Sequence, residues 1–187
     1  MHRPVTCGPR VVALIALFVF LSTPALAGGC LQRFVDSQGG DGSLADVISE
    51  INAFGCSSGG LNEIIIDNVA LSEIVIASLL PVIEKPTRLA PPVGSVERFP
   101  IRTNQPFLFG YVLRASARVE IENIEILGDS QRRFFGGIRL EAGADGSVLR
   151  GVRVDRVRSY GIRVTDVNDV VIEPSADFPV VVTRSGF

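Results

Sequence analysis

The stretch Gly136-Gly137-Ile138-Arg139-Leu140 is answered by Tyr160-Gly161-Ile162-Arg163-Val164, 24 residues further on. That interval constrains the fold more than any other feature. Two dozen residues are too few for a domain and about right for one circuit of a stacked solenoid. Other segments keep similar time. Ile124-Glu125-Ile126 is answered by Val152-Arg153-Val154 and again by Val180-Val181-Val182, in steps of 28, while Val119 to Ile121 aligns with Ser147 to Leu149 and Val170 to Ile172. Val112 takes the place that Ile138 and Ile162 hold in the later circuits, which puts Leu113 level with Arg139. Each circuit then contains three short β-branched segments, broken by Gly, Asn, Asp and Ser, with no helical pattern between them. Strands repeated this way stack coil upon coil, and inward Ile and Val alternate with outward Glu and Arg.

Upstream, Ile64 to Ile66, Ile74 to Ile76 and Tyr111 to Leu113 read as further strands, and a Pro-rich excursion from Pro81 to Pro100 interrupts the series. One helix is expected before them. Ser43 is its N-cap, Asp46 follows three residues on as in a capping box, and Gly55 ends it. Leu44, Val47, Ile48, Ile51 and Phe54 form one apolar stripe that must cover something.

Residues 1–27 carry the marks of a secretory signal peptide: Arg3 and Arg10, an apolar run from Val11 to Leu21, then Pro24 and Ala25-Leu26-Ala27. That run falls well short of the roughly 20 residues of a membrane span, and no later stretch reaches that length. An exported protein is expected, periplasmic, secreted or held at the cell surface. A lipid-anchored Cys30 is the rival reading, but the large aliphatic residue expected three positions before it is missing. Cleavage after Ala27 leaves 16 basic and 20 acidic residues, a net charge of −4, so no basic surplus points to nucleic acid. It also leaves no histidine, which excludes histidine-based triads, metal sites and proton shuttles. Cys30 and Cys56 remain, and in an oxidising compartment they are expected to form a disulfide; a reactive thiol would need a cationic or basic neighbour.

The segments "DGSLADVISEIN", "NEIIID", "IVIASLLPVIEKP", "ARVEIENIEILG" and "GIRVTDVNDVVIEP" together resemble exported bacterial parallel β-helix proteins of the pectin-lyase-like superfold. The likeness covers roughly residues 41 to 173. It implies an all-β fold, a single-stranded right-handed parallel β-helix of about four coils with an N-terminal capping α-helix. On this reading 1–27 is the signal, 28–60 the segment bearing the capping helix, and 61–187 the coils. There are two departures. After Pro86 the chain reads "TRLAPPVGSVERFP" where the family runs into a strand, so the second coil is expected to be irregular. The chain also stops at "VVVTRSGF" with no capping element, which leaves open a fragment of a longer β-helix surface protein and edge-to-edge self-association.

The resemblance implies enzymes acting on acidic polysaccharide, but neither the lyases' clustered Asp calcium ligands with an Arg base nor the hydrolases' Asn-Thr-Asp and Gly-His-Gly motifs occur in this chain. Asp166 with Asp169, and Glu120 with Glu122, are the available carboxylate pairs for hydrolysis, and alternating outward positions produce such pairs by chance. The Thr165 to Asp169 turn offers too few oxygen ligands for calcium, so neither a catalytic residue, a metal nor a cofactor is assigned. The 28-residue step sets Glu122 opposite Arg150 and Glu125 opposite Arg153, pairs that serve register. Arg139 and Arg163 instead stack like on like, which is unfavourable unless an anion lies across them or Glu141, Asp145 or Asp166 neutralises them. They are the candidate ligand-binding residues, for an acidic polysaccharide. The expected function is an exported non-catalytic β-helix module; the alternative is a reduced polysaccharide lyase or glycoside hydrolase.

Overall fold

The computed structural model describes residues 30–95 and 97–183; the signal-peptide reading falls outside them. The chain is a parallel β-solenoid of about five turns with one helix. Its first sheet stacks six strands: β1 (Gln32–Val35), β2 (Asn62–Ile66), β4 (Thr87–Ala90), β7 (Val119–Glu122), β10 (Val148–Arg150) and β13 (Val171–Glu173). The second holds β3 (Ile74–Ile76), β5 (Phe99–Thr103), β8 (Ile124–Leu127), β11 (Arg153–Asp155) and β14 (Val181–Thr183). The third holds β6 (Phe107–Ala115), β9 (Arg133–Leu140) and β12 (Ile162–Val164), and Ile83 adds a bridge to Ala115. Every pairing in the three sheets is parallel.

The alternation read from the sequence is what the strands do: Ile64, Ile66, Leu89, Val119, Ile121, Ile126, Leu149 and Val154 are buried in one continuous core, with half-exposed residues between them. The count is nearer five turns than four because Gln32–Val35 forms a rung of its own. Four residues with only two apolar side chains carry no strand pattern, but the free edge of β2 offers them hydrogen bonds, and Gln32 pairs with Glu63 through Val35 with Ile66. The Pro-rich excursion is likewise less irregular than expected. Its prolines fall at strand ends and in the loop between, so β4 fits between Pro86 and Pro91 and β5 begins at Phe99.

Helix α1 (Leu44–Phe54) lies between β1 and β2 in sequence, and its Leu44, Val47, Ile48 and Ile51 join the core at the N-terminal end of the stack. Ser43 Oγ accepts from the Asp46 N–H at 3.3 Å, as expected of an N-cap. Phe54 departs from the predicted stripe and stands in solvent. Gly55 and Cys56 press on Asn62 there: a Cβ on Gly55 would lie 2.7 Å from Asn62 Oδ1. Gly55 is therefore required by close approach, not by a left-handed conformation, since its φ is −65°. The Cys30–Cys56 disulfide is formed and ties the start of β1 to the end of the helix. Gln38 closes the free edge of β3, its amide accepting from Val75 N–H at 2.8 Å and donating to the Glu73 carbonyl. No helix among the described residues is long and apolar enough to cross a membrane.

Candidate functional site

The outward charges of the first two sheets are consumed by pairing. Glu122 takes Arg88 at 2.8 Å and also Arg150, and Arg150 in turn reaches Glu173 at 2.7 Å. With Arg88 also lying 3.5 Å from Glu63, the paired charges alternate in sign from Glu63 on β2 to Glu173 on β13, and the neutral Gln32 of β1 donates to Glu63. On the second sheet Arg153 meets Glu125 at 2.7 Å, and Arg102 meets Glu73 at 3.0 Å. The two expected register pairs, Glu122 with Arg150 and Glu125 with Arg153, are both present.

The third sheet is built differently. Arg139 and Arg163 occupy matching positions on β9 and β12, as the 24-residue interval requires. The position below them is not Leu113. Leu113 pairs with Ile138 and Arg114 with Arg139, one residue out of step with the alignment on Val112. A β-bulge causes the shift: between the Leu108–Phe134 and Tyr111–Gly136 pairs, Phe109 and Gly110 of β6 face the single residue Phe135. Gly110 takes a φ of +132°, which a side chain would resist, and its open α-carbon lies against Leu79. Three arginines, 114, 139 and 163, therefore stand in file at the roughly 4.8 Å spacing of neighbouring strands.

Counter-charge on this sheet is sparse. Glu141 Oε1 lies 3.0 Å from Arg139 Nε, as an ion pair without hydrogen-bond alignment. Among the described residues Arg114, Arg133, Arg158 and Arg163 make no ion pair. Asp145 is engaged elsewhere, accepting from Asn168 N–H at 2.7 Å, and so holds the turn instead of neutralising the file. Asp166 and Asp169 both sit in that turn with a φ of 56°, the left-handed conformation that Asp tolerates. Glu120 pairs with Arg118 at 2.6 Å while Glu122 serves the ladder, so neither member of that carboxylate pair is free.

Aromatic rings lie among the arginines. The Arg139 guanidinium is 5.8 Å from the Tyr111 ring centre, Arg163 is 5.5 Å from Tyr160, and Arg158 is 5.3 Å from Phe107. Tyr111 is buried, packed over Gly136, where a Cβ would come within 2.4 Å of its ring. Its hydroxyl approaches the Arg163 guanidinium closely enough to raise the Arg163 pKa, Tyr160 adding to this, yet it reaches no partner at hydrogen-bonding geometry. Arg114 Nε is buried and unpartnered as well. Of the two glycines of the repeated motif, Gly161 sits at the bend just before β12 and Gly137 does not mark a turn. Gly137 lies within β9, where a Cβ would meet the Gly161 carbonyl at 2.3 Å and Val154 Cγ1 at 2.6 Å.

Sequence reasoning found Arg139 and Arg163 and missed Arg114 and the rings. Only the Phe-Leu-Phe-Gly run at 107–110, with its out-of-place glycine, hints at the bulge that assembles them. Elsewhere, a cleft of about 700 Å³ beside β3 is lined by Gln38, Ser43, Leu44, Ile74, Ile76 and Leu80 and gathers no charged side chain. Among the described residues no three His, Cys, Asp or Glu side chains come together as metal ligands would. No protein-family model matches the chain, nor does any curated protein or solved structure.

Proposed function

We propose that this chain is an exported, non-catalytic β-helix module of the pectin-lyase-like kind, whose third sheet holds an acidic carbohydrate chain at or near a cell surface. One observation carries the reading: arginines pair with acids along two sheets, while on the third they stand in file with one carboxylate among them. Like charges stacked across neighbouring strands are destabilising unless an anion lies over them. Guanidinium forks match carboxylates in plane and spacing, so an anionic chain running along the stack would relieve each repulsion with charge-assisted hydrogen bonds. The disulfide and the apolar leader at residues 1–27 support an oxidising, exported setting. The non-catalytic part rests on the carboxylates: those near one another are spent on arginines or on turns, and among the described residues the file has no free pair beside it for general acid and base work.

Retention on an immobilised polyuronate, eluted with a salt gradient, tests this. The wild-type chain is expected to be held, and the double variant Arg139→Gln, Arg163→Gln to elute with the unbound fraction. Equal retention of the two overturns the binding reading. Appearance of unsaturated or reducing ends in the polyuronate overturns the non-catalytic one.

A further inference from the structure

We infer that Phe109, with Phe135 beneath it, is a ring-stacking subsite flanking the arginine file, so that the strip selects sugar rings carrying anionic groups over a polyanion without rings. The inference rests on the binding reading above and adds to it what the occupant must be made of. Phe109 is 73% exposed, although its neighbours on β6 and β9 are largely covered. The core does not need it, because Phe134 fills the interior position beside it. Alternation turns Phe109 outward, since Leu108 before it pairs with the buried Phe134, and the bulge that follows at Gly110 sets both residues against Phe135.

Once outside, the ring is held. It stacks on Phe135 at 6.2 Å between centres and 14° between planes, and Phe107 meets it edge-on at 4.5 Å. Tyr111 continues the series edge-on to Phe135 at 5.9 Å, and Arg139 lies over Tyr111. The result is a fixed aromatic shelf with cations on both sides, Arg158 over Phe107 at one end and Arg139 and Arg163 at the other. Tyr160, 58% exposed beside Arg163, extends it towards the last turn. An exposed aromatic patch rimmed by unpaired charge marks a contact surface. A pyranose presents apolar C–H faces to a ring while its carboxylate points out in the plane of the sugar. A uronate chain lying along the solenoid axis would thus set ring faces on the shelf and carboxylates on the file. A peptide polyanion of equal charge satisfies the arginines alone.

Affinities of the full chain for a polyuronate and for poly-L-glutamate of matched charge, measured by titration calorimetry, test this. Wild type is expected to prefer the polyuronate. Phe109→Ala, an exposed substitution, should weaken polyuronate binding about three- to tenfold and leave poly-L-glutamate binding unchanged, while Phe109→Tyr keeps both. If Phe109→Ala binds both polymers as wild type does, or loses both equally, the shelf is not a sugar subsite. Tighter binding of single-stranded DNA than of polyuronate also overturns the inference, since bases too offer rings and anions. Failure of the arginine reading appears separately, as full polyuronate binding by the Arg139→Gln, Arg163→Gln variant.

Discussion

Asn62 is fully buried at the first complete turn, and its removal measures what holds the capped end together. Its Oδ1 accepts from Leu31 N–H at 3.0 Å and Cys56 N–H at 2.9 Å; its Nδ2 donates to the Cys56 carbonyl at 3.1 Å and the Pro86 carbonyl at 2.8 Å. One amide therefore joins β1, the end of α1 and the approach to β4. In Asn62→Ala the Pro86 carbonyl keeps its bond from the backbone N–H of residue 62. The N–H and carbonyl of Cys56, both buried, lose their side-chain partner, and the half-buried Leu31 N–H does too. Each of the two buried orphans costs about 1–3 kcal/mol, and with Leu31 partly hydrated and adding little the sum is about 2–6 kcal/mol. Asn62→Leu keeps the branched shape but is bulkier and loses the same bonds, so it should cost at least as much. Urea unfolding gives the magnitude and amide exchange the place. A solenoid turn contacts only its neighbours, so protection should drop over β1 and α1 and persist over β11. Either variant within about 1 kcal/mol of wild type, or exchange rising evenly along the chain, would refute the hydrogen-bond account.

Four further outcomes are expected. Glu122→Gln removes the acid shared by Arg88 and Arg150, each of which keeps a second partner; unfolding should cost about 1–2 kcal/mol less in low salt, with a smaller difference in roughly 1 M NaCl. Gly137→Ala drives a methyl into the Gly161 carbonyl and Val154, and thermal unfolding should register about 1–3 kcal/mol of destabilisation. The hydrogen bond from Arg33 holds Glu50 below the usual glutamate range. The resulting anchorage of α1 to β1 is present in full above that range and lost as pH falls through the lowered folded value. Both side chains are about a third exposed, so exchange protection of α1 on acidification should fall only slightly. Finally, Val164, Ile172 and Val182 occupy core positions on the last described turn yet are more than 40% exposed. Concentration-dependent association is expected in sedimentation, and Ile172→Lys should reduce it.

Period and alternation are legible in the sequence because each depends on spacing along the chain. Between β7 and β10 and between β8 and β11 the register keeps one step of 28 with no bulge, so the Glu122–Arg150 and Glu125–Arg153 pairs follow residue by residue from that interval. The third sheet cannot be placed so finely. Its first strand carries an extra residue at Phe109-Gly110, and from the alignment on Val112 the file of three arginines looks like two above a leucine. Asn62 is hidden for a related reason: an asparagine before Glu63 and Ile64 reads as an ordinary strand edge, and only the return of Leu31, Cys56 and Pro86 to one point shows what its amide does.

Local spacing points to the solenoid and its helical cap, because those follow from which face each side chain takes and from which groups are left needing cover, while the cysteine pair follows from Cys30 and Cys56 being the two left after residue 27. Whether a charge is spent or free is a different kind of property. It depends on which residue of the next turn lies about 4.8 Å away, and a single bulged residue reassigns every such neighbour on one sheet. That is why spacing pairs Arg150 with Glu122 and Arg153 with Glu125, while Arg114 and the exposed rings join the third sheet's file only in the folded stack.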